Sequence, residues 1–180
     1  MIFAHDTEHG LTEVAALVNT AGAGHEGLPD VAALDAFVQT WGWTGRRDRD
    51  EAELLAVRAL RPRLREIWEV DEDRVVVIVN QLLRDGHALP QLVKHDGWDY
   101  HLHATPSDAP LATRMAVDAA MAIFEVVRTK ELSRLRTCDS PGCSGVLVDL
   151  SKNRSKRYCE AGCGNRAAVA AYRARKAGQP

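Results

Sequence analysis

A chain of 180 residues with 46% hydrophobic content is long enough for one ordinary domain and a small module, and too apolar for disorder to be its main state. The formal net charge of −2 conceals an asymmetry: residues 1–127 hold 11 Lys and Arg against 21 Asp and Glu, residues 128–180 hold 12 against 4, so a body of −10 carries a tip of +8. No run approaches the roughly 18 apolar residues of a membrane span, and the start, MIFAHDTEHG, has neither the basic nor the apolar region of an export signal, so a cytoplasmic location is expected.

The elements read as mostly helical. Leu11, Ala15, Leu17 and Val18 give an apolar face to a helix beginning near Thr7 or Thr12 and ending at the glycines Gly22, Gly24 and Gly27. Asp30 is the expected N-cap of a second helix carrying Leu34, Phe37, Val38 and Trp41. A third helix is expected over about Asp50 to Trp68, kinked or broken at Pro62, and a fourth over Asp73 to Arg84, stopping at Gly86. From Ala88 to Pro106 the residues alternate about Asp96 and Gly97, the pattern of a β-hairpin. Helical spacing returns from Ser107 to about Leu135, and with no Pro/Gly/Ser linker after it this helix is expected to run straight into the basic tip as a rigid coupling.

All four cysteines lie in that tip, as Cys138 and Cys143, then fifteen residues, then Cys159 and Cys163. Two close pairs joined by a loop of this length suit a closed tetrahedral zinc site, with iron or redox-active free thiols as the alternatives. Pro141 with Gly142, and Ala161 with Gly162, would form the two turns; Val146 to Asp149 alternate as a short strand, and Asn165 to Lys176 should be helical. A module of about fifty residues is too small to rest on core burial alone, so metal supplies much of its folding free energy.

The stretch RLRTC, the later VDLSKNRSKRYC and CGNRAAVAAYRARK resemble the CGNR-type zinc finger of bacterial transcription regulators, named for the tetrad standing here as Cys163, Gly164, Asn165 and Arg166. The second pair is separated by three residues where four are expected in many members. In that family the finger follows an α-rich, ABATE-like domain with an early motif like LVNT, here Leu17 to Thr20. The resemblance implies an α+β, mostly α chain: an α-rich ligand-sensing or dimerisation domain over 1–130 with one hairpin, and a DNA-binding finger over 131–180, treble-clef-like or ribbon-like, ending in a helix. It also implies one zinc ion per chain, double-stranded DNA as partner and a homodimer.

Lys152, Arg154, Lys156 and Arg157 sit on the loop between ligand pairs and suit phosphate contacts, whereas Asn165, Arg166, Arg173 and Arg175 on the last helix are the candidates for base contacts. Asn165 could instead cap that helix, and Arg166 could pair with Asp149 or brace a cysteine loop. Tyr158 and Tyr172 are expected in the small module's core.

In the acidic domain, His5, Asp6 and His9 lie together, as do Trp98, His101 and His103, and these six are the candidate ligand-binding residues. Either histidine pair has the residue types of a second metal site, although plain hydrogen bonding is the commoner use. Trp41, Trp43, Trp68 and Trp98 could line a pocket or fill the core. Near His5, Asp6, His9 and Glu13 no nucleophile elbow, phosphate loop or metalloprotease motif occurs, so no enzyme is expected. The alternative function is a zinc-stabilised protein or RNA interaction module.

Overall fold

The computed structural model describes residues 3–22, 24–94 and 99–177. In chain order it has α1 (His5–Asn19), β1 (Ala21–Gly22), β2 (His25–Glu26), α2 (Val31–Thr40), α3 (Glu51–Arg65) continued by a 3-10 turn at Glu66–Trp68, and α4 (Glu72–Asp85). Then come β3 (Gln91–Val93), β4 (His101–His103), α5 (Leu111–Arg128), a 3-10 turn at Leu132–Arg134, β5 (Leu135–Thr137), β6 (Val146–Val148) and α6 (Cys163–Ala177). The strands form three separate antiparallel pairs, β1–β2, β3–β4 and β5–β6.

Three helices start where an aspartate can cap them. Asp30, Asp50 and Asp71 each accept a hydrogen bond from the amide three residues on, satisfying a donor that the first turn leaves unpaired. Around α5 the other helices α1, α3 and α4 assemble one core, in which Leu11, Val18, Leu64, Ala120, Ile123 and Val126 are fully buried. Gly86 ends α4 against α5: a β-carbon there would stand 2.2 Å from the Val117 methyl, so only glycine fits.

Several expectations are corrected. α1 begins at His5, ahead of either threonine, without a side-chain cap. Pro62 does not break α3, which continues to Arg65; the Arg58 carbonyl that proline cannot serve takes Arg61 Nε at 3.4 Å. A two-residue pairing, β1–β2, adds to the expected hairpin, whose strands register Leu92 opposite Leu102. The turn expected at Asp96 and Gly97 lies outside the described residues.

The largest correction concerns the junction. α5 starts at Leu111 rather than Ser107 and stops at Arg128, so no continuous helix enters the tip. Lys130 adopts φ 59°, its amide bonds Val127 O and the Glu131 amide bonds Val126 O, a Schellman termination that turns the chain. The tip is nonetheless seated on the body. Val146 and Val148 of β6 belong to the main core, and the Asn19 amide clasps the Val146 backbone, donating to its carbonyl at 2.8 Å and accepting from its N–H at 2.7 Å. Trp68 Nε1 donates to Leu147 O at 3.0 Å, and Arg65 to Ser144 O at 2.8 Å.

Candidate functional site

The four cysteine sulfurs lie within 4.8 Å of one another, and Cys159 Sγ stands 3.7 Å from Cys143 Sγ and 3.6 Å from Cys163 Sγ. A tetrahedron with metal–sulfur bonds of about 2.3 Å has edges of about 3.75 Å, so the set fits one zinc ion. Cys138 follows β5, Gly142 supplies φ 73° for the turn to Cys143, and Gly162 supplies φ 74° before Cys163, the first residue of α6. The fourth ligand thus sits at a helix N-terminus, whose dipole favours thiolate charge.

Donors surround the sulfurs. The Gly145 amide points to Cys143 Sγ and the Cys159 amide to Cys138 Sγ, both at 3.4 Å, while Arg166 Nη2 reaches Cys163 Sγ at 2.9 Å and its Nη1 reaches Ala161 O at 2.9 Å. Such outer contacts fix the ligands and offset their negative charge. Gly145 is required by close approach, since a β-carbon would lie 2.9 Å from Cys159 Sγ. Arg166 therefore braces the second cysteine turn, and Asp149 pairs with Arg136 at 3.7 Å instead.

Asp149 organises the loop that bears the basic residues. Fully buried, its carboxylate accepts from the Ser151 hydroxyl, the Ser151 amide at 3.0 Å and the Lys156 amide at 2.9 Å. Burial acts to raise its pKa, but these hydrogen bonds and the Arg136 charge outweigh it and hold the carboxyl below its usual range. On this loop Arg154 pairs with Glu131, Lys156 with Glu160 and Arg157 with Asp139. Lys152, Arg173 and Arg175 are exposed and make no ion pair among the described residues. α6 projects from the finger with Cys163 as its one buried residue; Asn165 is exposed, and so is Tyr172 at 60%, against the core position expected for it. Tyr158, by contrast, packs on the cysteines.

A second feature lies in the acidic domain. Asp6, His9, Gly10 and Glu13 of α1, Trp41, Trp43 and Thr44 of the loop after α2, His101 and His103 of β4, and Arg114, Asp118 and Glu125 of α5 line a cleft of about 260 Å³. Four of the six candidate ligand-binding residues are thus brought together, Asp6, His9, His101 and His103. His5 is exposed outside the cleft lining, and Trp98 lies outside the described residues. His101 and His103 face each other, Nε2 to Nε2 at 3.0 Å, and His9 meets Trp41 edge-on at 5.6 Å between ring centres. Among the described residues, the cysteines are the one group of three or more His, Cys, Asp and Glu side chains close enough to share a metal, so the histidine pairs do not build a second such cluster there.

Two carboxyls of the cleft, Glu13 and Asp118, are not among the six candidate ligand-binding residues of the sequence. Glu13 is buried, accepts from Trp43 Nε1, and is raised by that burial to about 8; Asp118, enclosed by protein except where the cleft reaches it, is raised by desolvation to about 7. Their signal is present all the same. Arg114, Asp118 and Glu125 interrupt an otherwise apolar helix at spacings of four and seven, and Asp6, His9, Gly10 and Glu13 follow spacings of three, one and three, so each set shares one helical face.

Comparison with known proteins finds two families along the chain. The family described as "CGNR zinc finger" matches residues 134–176, and the one described as "Putative stress-induced transcription regulator" (ABATE) matches residues 14–130. No curated protein matches the chain.

Proposed function

We propose, from the premise that this chain belongs to the ABATE family of transcription regulators and carries a CGNR zinc finger, that it regulates transcription by binding double-stranded DNA through the finger, under control of a small molecule held by the helical domain. The observation that carries the reading is α6: a helix anchored at one end by a zinc ligand, exposed at every residue from Ala168 to Ala177, and bearing Arg173 and Arg175 without ion-pair partners among the described residues. A lone helix of this kind fits a major groove about 12 Å wide, where arginine pairs with guanine. Lys152 adds a phosphate contact, and Arg154, Lys156 and Arg157 can join it. Their exposed ion pairs are worth about 0–1 kcal/mol and can be exchanged for phosphate.

Charge supports the same face. Five of the tip's twelve basic residues, Arg134, Arg136, Arg154, Lys156 and Arg157, pair within the tip; among the described residues, Lys130 with Glu72 is the ion pair that crosses from it to the body beyond α5. The excess of +8 is therefore not consumed in docking the two parts. Control by a ligand is supported by α1, which lines the cleft at Asp6, His9 and Glu13 and grips β6 through Asn19, about 9 Å further along the helix.

The test is selection of genomic duplexes by the purified protein, with zinc quantified on the same sample. One zinc per chain and an enriched motif, palindromic if two copies bind together, is the expected result. One zinc with no enriched duplex, or with tighter binding to single strands, would replace this reading with a protein or RNA interaction module.

A further inference from the structure

We infer that the cleft between α1, α5, β4 and the loop after α2 is a binding site for a small organic cation, an ammonium group carried on a compact aromatic or aliphatic body. The inference names the ligand class for the sensing half of the function above and is independent of DNA binding.

The cleft suits a small molecule. Its volume of about 260 Å³ lies just under the usual range of about 300–1,000 Å³, room for one ring and a short chain. Trp41, Trp43, Leu102 and Met121 supply aromatic and apolar wall, and Glu13, which is buried, and Asp118, which is partly buried, line it as well. Glu13 has one oxygen engaged by Trp43. Asp118 is partly exposed into the cleft and accepts no hydrogen bond from any described residue, so its oxygens are open to a donor on a ligand.

Other ligand classes fit less well. An anion would need a cation to meet it, and the guanidinium in the cleft is already committed: Arg114 Nε donates to Ala109 O at 3.0 Å, and its two terminal nitrogens donate to Thr44 O and Arg46 O. That guanidinium also lies 5.7 Å from the Trp43 ring, so it serves to hold the loop wall in place. A metal ion is disfavoured because no cluster of three ligands other than the cysteines occurs among the described residues. An ammonium, in contrast, meets carboxyl oxygens beside the aromatic side chains Trp41 and Trp43, the two kinds of partner that recognise organic cations.

Burial holds the Glu13 carboxyl largely protonated near neutrality and the Asp118 carboxyl about half so. A bound cation reverses that preference, so binding releases protons and tightens as pH rises towards about 8.5 while the ligand stays charged. The other charged or titratable groups facing the two carboxyls are Asp6 and His9 on α1, His101 and His103 on β4, and Arg114 and Glu125 on α5.

The experiment is calorimetric titration of the zinc-loaded full chain with phenethylammonium, and with phenethyl alcohol and phenylacetate as neutral and anionic matches, at about pH 6 and about pH 8.5 in buffers of different ionisation heat. Phenethylammonium should bind with proton release and more tightly at the higher pH, the other two at least about tenfold more weakly. Asp118→Asn should lose about tenfold for the ammonium alone, with zinc content and helicity unchanged. If that variant fails to fold, Glu13→Gln, which keeps the acceptor for Trp43, takes its place. Equal binding of phenethyl alcohol, preference for phenylacetate, or no binding of phenethylammonium at millimolar concentration overturns the inference. Duplex binding is measured alongside without ligand, so loss of the cation site and loss of the DNA reading are separate results.

Discussion

Asn19 is a polar side chain at the end of an apolar helix, and its amide group imitates a strand. By donating to the Val146 carbonyl and accepting from the Val146 amide, it satisfies both backbone groups of a residue that has only 1% of its surface exposed. Asn19→Ala should leave both groups without a partner and cost about 2–3 kcal/mol, read as a lower urea midpoint with faster amide exchange at Val146. Asn19→Asp keeps an acceptor but loses the donor, and should fall between the two. Arg166 makes a comparable bid on the finger. Arg166→Ala removes the guanidinium from Cys163 Sγ and Ala161 O, so competition with a chelator should show about 10–100-fold weaker zinc retention, whatever its effect on DNA. A bracing role for this residue was legible only as one option among several, because the spacing of CGNR does not say which way the Gly162 turn aims the side chain. The metal ligands were legible in full, since thiol type and spacing alone define the site.

Helices were readable wherever their ends are written in local chemistry. Asp30 before the second helix and Gly86 after the fourth mark boundaries that the structure keeps, each by satisfying or relieving a terminal backbone group. The end of α5 was misread because Lys130, the residue in the left-handed conformation, is not glycine, and the hydrophobic spacing continues past it through Leu132 and Leu135. The cleft was half legible: its histidines announced themselves, while Glu13 and Asp118 looked like interruptions of a core face. Those two make a prediction for the pair α1 and α5. Glu13 moves from 4.5 to about 8 and Asp118 from 3.8 to about 7, so between those values the folded state holds protons that the unfolded chain has released. Stability should therefore fall as pH rises through this window, and the loss should be complete above about pH 8. Glu13→Gln keeps the acceptor for Trp43 and removes one ionisation; urea unfolding from about pH 5 to about pH 9 should show a flatter profile and a variant more stable than the parent at the alkaline end.

Body and finger share one hydrophobic core, although their charges and their family matches divide them. The reason lies in β6: its backbone is held by Asn19 and Trp68, and Val146 and Val148 complete a core whose other buried members come from residues 3–126. A module too small to fold by burial is stabilised by zinc, and it contributes part of that stability to its neighbour. Removing the metal tests this directly. Zinc binding to such sites is worth about 10–16 kcal/mol at neutral pH, more than a fifty-residue module retains from its own contacts, so a strong chelator should unfold β5, β6 and the start of α6. Withdrawal of β6 would then uncover the valine sites, each worth about 1.5–3 kcal/mol when fully buried, and leave the Trp68 indole without its acceptor. The expected outcome is one thermal transition in the zinc-loaded chain, and in the zinc-free chain a lower Tm for the helical body itself, followed by its far-ultraviolet circular dichroism. A finger tethered like a bead would leave the body's Tm where it was. The same contacts give the cleft a route to α6, because whatever moves α1 moves Asn19, and Asn19 holds the strand on which the zinc turns are built.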